Sequence, residues 1–121
     1  MNIQDILAWL DQCPSLRGES LNWNYLPGYS GWSLAIPKTE TKTDILGSAR
    51  TARQLKITRR CSVQSNADRL AIVAALEDLA AWAKENPPPG AHLRVAGLPE
   101  FNSRNTSGIE DISITFTLSE S

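Results

Sequence analysis

The chain has little of what most chemistry is built from. Among its 121 residues there is one histidine, His92, and there are two cysteines, Cys13 and Cys61. Two thiols are too few for a disulfide scaffold, and they lack the paired spacing of a zinc site. Both read as reduced, partly buried small hydrophobes. The seven glycines, at 18, 28, 31, 47, 90, 97 and 108, form neither a phosphate-binding loop nor a dinucleotide fingerprint. No motif supports a Cys–His nucleophile and base, so His92 reads as an ordinary strand histidine. The acidic pairs Glu77-Asp78 and Glu110-Asp111 are adjacent in sequence, which points them apart on a helix or strand. They read as solvated surface rather than a metal site. The expectation is a protein that is not an enzyme and takes no cofactor or metal.

Long apolar runs are missing too. The longest fall far short of the roughly 20 residues of a membrane span, and no basic region followed by an apolar segment opens the chain. A soluble protein with no membrane partner, not exported by a signal peptide, is expected. Internal repeats and low-complexity tracts are absent apart from Pro87-Pro88-Pro89-Gly90. A net charge of -1 excludes a strongly basic nucleic-acid binder in bulk. Hydrophobic residues at 41% and charged residues at 21% argue against disorder of the whole chain. The length suits a single domain, 1–121, able to bury one core.

What is present is a mixed pattern of helix and strand. Asn2 caps a first helix in which Ile3, Ile6, Leu7 and Leu10 recur at helical spacing, with Trp9 beside them, and which Pro14 ends. The segment from Leu21 to Leu26 alternates with period two, placing Leu21, Trp23 and Tyr25 on one face of a strand. A turn at Pro27 to Gly31 leads into a returning strand, Trp32 to Ile36. From Pro37 to Ala52 the chain is polar, with Ile45-Leu46 as an apolar island, and reads as a long loop or a protruding hairpin arm. A third strand carries Leu55, Ile57, Cys61 and Val63 on one parity, and Arg59 breaks that face, so a bulge or strand end is expected near it.

Asn66 is the expected cap of a second helix, with Asp68 in its first turn. Its apolar residues form two overlapping stripes, one through Leu70, Val73, Leu76, Ala80 and Ala83, the other through Ile72, Leu76, Leu79 and Ala83. A fourth strand spans His92 to Ala96, and a polar loop from Pro99 to Gly108 leads to the cleanest strand. There Ile112, Ile114, Phe116 and Leu118 alternate with Ser113, Thr115, Thr117 and Ser119. The expected fold is α+β: a mainly antiparallel sheet of four to five strands, two helices packed on it, and a protruding polar arm. The other sheet face, with its Ser and Thr, suits water or a neighbour.

Charge is unevenly distributed. Between Lys38 and Arg60 lie seven basic residues, Lys38, Lys42, Arg50, Arg53, Lys56, Arg59 and Arg60, against Glu40 and Asp44, a local balance of +5. The rest balances at -6. Such a segment suits either nucleic-acid phosphates or the acidic surface of a second copy, copies then closing head-to-tail into a ring. A solvated charged loop is the plain alternative. From Ser33 to Thr115 the only aromatics are Trp82 and Phe101, so the basic segment has no interleaved base-stacking platform.

Several segments, taken in order, resemble the small tail-terminator proteins of long-tailed bacteriophages, also called minor capsid or tail-completion proteins. They are Cys13-Pro14-Ser15-Leu16, Leu21-Asn22-Trp23-Asn24-Tyr25-Leu26-Pro27, Gly31-Trp32-Ser33-Leu34, Arg53-Gln54-Leu55-Lys56-Ile57 and Asn66-Ala67-Asp68, with Trp82 near the end of the long helix. The likeness spans almost the whole chain. It departs from the pattern at Leu55, Ile57, Gln64 and Ser65, where the family favours aromatics. The resemblance implies a virion structural protein at the tail–neck junction, assembled in the host cytoplasm. Its hexameric ring would cap the last ring of the major tail-tube protein and offer a docking face to head-completion or neck proteins. It implies no catalysis and no cofactor, and DNA passing through the lumen without being bound tightly. Lys38, Lys42, Arg50, Arg53, Lys56 and Arg60 are the candidate subunit or tube contacts. A neck or connector component, or a small nucleic-acid-binding module using residues 38–60, are the alternatives.

Overall fold

The computed structural model describes residues 2–16, 21–23, 30–43, 45–47, 49–95, 97–104 and 108–120. The fold is α+β. Helix α1 (Ile3–Leu10) starts at a reciprocal cap: Asn2 Oδ1 accepts the Asp5 N–H at 2.8 Å, and Asp5 Oδ2 accepts the Asn2 N–H at 3.1 Å. Eight residues do not hold a helix in water unaided, so packing of Ile6, Trp9 and Leu10 sustains it. Asp11 caps its end, and Pro14 opens a separate 3-10 turn, Pro14–Leu16, instead of terminating the helix.

The strands are β1 (Leu21–Trp23), β2 (Gly31–Thr43), β3 (Ala49–Ser62), β4 (Ala91–Val95), β5 (Glu100–Arg104) and β6 (Ile109–Glu120). They form one mostly antiparallel, open sheet in the order β1-β2-β3-β6-β4, with β5 also on β6. The sheet therefore has six strands rather than four or five. The extra one, β5, lies in the polar stretch expected as a loop. Its register, Glu100↔Ser113 following Val95↔Phe116, makes β4 and β5 two halves of one edge along β6. Five residues of that edge advance past three of β6, which leaves an irregularity between the halves that masks the strand pattern.

Strand β1 also departs from its sequence expectation. It pairs with β2 in parallel, Leu21↔Trp32 to Trp23↔Leu34, and does not form the expected hairpin. Three residues extend only about 10 Å, so the intervening chain is long enough to return to the same end. The Asn24 to Leu26 half of the expected strand, with Tyr25, and most of the expected turn lie outside the described residues.

Between Pro37 and Ala52 the strands continue as a ladder down to Thr43↔Ala49. The irregularity expected at Arg59 is elsewhere. Register slips between Ala35↔Lys56 and Lys38↔Gln54, where Ile36 and Pro37 face Leu55 alone. Pro37 has no N–H to give a ladder, which is why the bulge sits there. Arg59 stays in the strand because its guanidinium lies 5.3 Å from the centroid of the Trp32 ring opposite.

Helix α2 (Asn66–Glu85) is capped by Ser65, one residue before the expected Asn66; the Ser65 hydroxyl accepts the Asp68 N–H at 3.2 Å. Of its two stripes the structure buries the second, Ile72, Leu76, Leu79 and Ala83, together with Ala80. Leu70 is 58% exposed. Both helices share one hydrophobic cluster with Leu34, Leu55, Ile57, Ile114, Phe116 and Leu118 from one sheet face. Trp9 ties the helices together: its ring centroid is 5.6 Å from that of Trp82, and its indole N–H donates to the Asn86 carbonyl at 2.7 Å.

Leu76 has no exposed surface. Leu76→Ala is expected to cost about 2 to 5 kcal/mol in a denaturant melt. Leu70→Ala on the same helix should stay within about 0.5 kcal/mol of the parent.

Candidate functional site

Antiparallel partners share a sheet face, so register sorts the six candidate contacts. The face opposite the helices carries Ser33, Lys56, Thr58 and Arg60, with Thr115, Ser113 and Asp111 beside them on β6. Past the bulge the parity of β2 reverses, which brings Lys38, Glu40 and Lys42 onto this same face, Lys38 opposite Gln54 and Lys42 opposite Arg50. Five candidates, Lys38, Lys42, Arg50, Lys56 and Arg60, are thus brought together. Arg53 is not: opposite Thr39 and Leu118, it occupies the helix-side face, ion-paired with Glu120.

The five differ in how their charge is used. Arg60 holds Asp111 through two parallel bonds, Nε to Oδ1 at 2.7 Å and Nη2 to Oδ2 at 2.8 Å. The hydrogen bond to Asp111 holds the guanidinium above its usual range. Lys38 pairs with Glu40 at 2.8 Å; its ammonium is pushed up by that hydrogen bond, and the Glu40 carboxyl is drawn down by it and, less, by Lys42. Both side chains are largely exposed, so the pair adds little stability. Arg94 of β4 joins the face opposite Thr117. It lies far along the chain from residues 38–60, and only strand order brings it near. Lys38, Gln54, Arg94 and Thr117 line an open depression of about 150 Å³.

The Glu110-Asp111 pair overturns a sequence expectation. Its members do point apart, to opposite sheet faces, but neither is solvated surface: Glu110 is 1% and Asp111 7% exposed. Glu110 is held by Arg69 of α2, Nη2 to Oε1 at 2.6 Å and Nε to Oε2 at 3.1 Å. Sequence pattern does not pair Arg69 and Arg60 with these carboxylates, which lie 41 and 51 residues away. Nearer the hairpin base, Ser33, Thr58 and Ser113 are buried, and the Ser113 hydroxyl and Asn102 side-chain amide bond each other at 2.9 Å.

His92 and the thiols are separated. His92 faces Ser119 on the face away from the helices, while Cys61 faces Glu110 on the helix side, nine residues along β6, or about 30 Å. Cys13 is fully buried in the core. Burial, with smaller contributions from Glu110, Asp68 and Asp111, pushes the Cys61 thiol up, and Arg59 opposes it. Among the described residues no three His, Cys, Asp or Glu side chains gather as a metal site. No helix among them is long and apolar enough to cross a membrane.

No model of a known protein family matches the chain, and no curated protein matches it.

Truncating the Arg69 fork should cost more than truncating an exposed cation. Arg69→Ala is expected to destabilise by about 1 to 3 kcal/mol, because a buried carboxylate loses hydrogen bonds. Arg50→Ala should change stability by less than about 0.5 kcal/mol in the same melts.

Proposed function

We propose that the chain is a virion structural protein of a long-tailed bacteriophage, a tail terminator. Its copies close into a ring, hexameric on the resemblance, that caps the tail tube, stops its growth and presents a docking face to the neck. The observation that carries the reading is a polar sheet face bearing Lys42, Arg50, Lys56 and Arg94, on a chain whose remaining charge is acidic. A basic face on an acidic body is complementary to a second copy of itself, and a repeated contact between unlike surfaces gives a ring when its rotation closes. In this reading the β2–β3 hairpin beyond Pro37 lies at the subunit contact, and the lumen is neutral or acidic so that DNA slides through it. The partners are then a second copy, the major tail-tube protein and a head-completion or neck protein, and no cofactor is needed.

The same four cations favour a second reading, a small nucleic-acid-binding module. The two differ in salt dependence. Phosphate gripping by several cations gives measurable DNA binding at about 50 mM salt that falls steeply by about 200 mM. Only weak binding is expected at the lower salt; a submicromolar, salt-sensitive Kd would replace the terminator reading with the second one.

Particles assembled without this protein should show tails of unregulated length, or tails without heads, by negative-stain microscopy. Normal particles would exclude a terminator. Lys42→Glu with Arg50→Glu should leave the circular dichroism unchanged, since both side chains are exposed, yet weaken co-sedimentation with tail tubes. Arg53→Glu is a poorer probe, because it also breaks the pair with Glu120.

A further inference from the structure

Two exposed features lie at different places on the molecule. One is the turn joining β2 to β3, where Ile45 is 93% and Leu46 90% exposed. Gly47 at φ +83° supplies the left-handed residue this turn needs. The other is a groove of about 520 Å³ between α1 and the segment after α2, lined by Ala8, Trp9, Gln12, Pro87 and Pro89, with Asp5 among its walls.

The groove is preformed. Trp9 is held against Trp82 and by its bond to the Asn86 carbonyl. Pro88 anchors the proline run in the core, and proline rings on either side have fixed φ. Little order remains to be lost when an apolar side chain enters such a site. Asp5 stands in its wall, and Asp11 lines the shallow pocket that adjoins it at Ala8. The turn is flanked by Lys42 and Arg50, paired across the ladder just behind it.

We infer that Ile45 and Leu46 of one copy dock into the α1–proline groove of a second copy, with Lys42 and Arg50 set against the acidic residues around it. Turn and groove are different surfaces, so the contact is head-to-tail and can repeat. The inference rests on the ring reading above and specifies its contact. Two side chains bury too little area for a stable pair alone, so adjoining strand residues and ring closure supply the rest.

The test uses the purified full chain. Leu46→Cys with Ala8→Cys, mildly oxidised at rising protein concentration, should give a ladder of disulfide-linked oligomers. Either single variant should not, which controls for Cys13 and Cys61. Ile45→Ser with Leu46→Ser, and separately Ala8→Lys, should each weaken self-association by at least about tenfold in sedimentation. All three positions are exposed, so circular dichroism should be unchanged. Failure of the double-cysteine chain to form a ladder, or unaltered self-association in the serine and lysine variants, overturns the inference. Tail-length control is read separately. A chain that forms the ladder but leaves tail length unaffected keeps the contact and loses the terminator role, while one that caps tubes without the ladder does the reverse.

Discussion

The pairing of β3 with β6, twelve residue pairs from Thr51↔Glu120 to Ser62↔Ile109, is the constraint on which the rest depends. It sets Leu55 beside Phe116 and Ile57 beside Ile114 on one face, and Lys56 beside Thr115 and Thr58 beside Ser113 on the other. A shift by one residue would exchange the two faces, exposing the apolar set and burying the lysine. The helices dock where that register puts the isoleucines and leucines. The cations are left facing away because their parity leaves them no other side.

The bulge at Ile36 and Pro37 is what makes the hairpin's charge one-sided. Without it, the parity that sends Trp32 and Leu34 into the core would send Lys38 and Lys42 to the helix-side face as well. One extra residue turns them over, and both strands of the hairpin then present cations in the same direction. Arg53 escapes this alignment because β3 has no slip of its own there, and Glu120 is near enough to take its charge. The same logic divides the adjacent carboxylates: Glu110 is drawn to α2 and Asp111 to the far face, each against an arginine. Charges pulled so far out of water are tolerable only with such forked partners.

The two ends of the molecule follow from this frame. The β2–β3 ladder outruns β1 on one side and β6 on the other, so among the described residues no strand flanks its tip, where Ile45 and Leu46 stand exposed. At α1, eight residues reach only part of the core, and the proline run closes behind Trp9 without filling the space beside Ala8.

Local pattern determined a good part of this. The α+β class, the two helices with the Asn2 cap of the first, the alternation of β6 and the +5 segment were legible because each rests on residues within a few positions of one another. Other features were not. The parallel placement of β1, β5 in a polar stretch, the bulge at Pro37 in place of Arg59, and the choice of the Ile72 stripe over the Leu70 stripe depend on which distant strand lies alongside. The site divides in the same way. Sequence listed the cations but could not say that Arg53 faces away from the other five, that Arg94 joins them, or that Arg60 is already committed to Asp111. Periodicity says which residues of one element share a side. Only the pairing between elements decides which sides meet, because register and ion pairs over 41 to 67 residues are set by the packed core and not by neighbours in the chain.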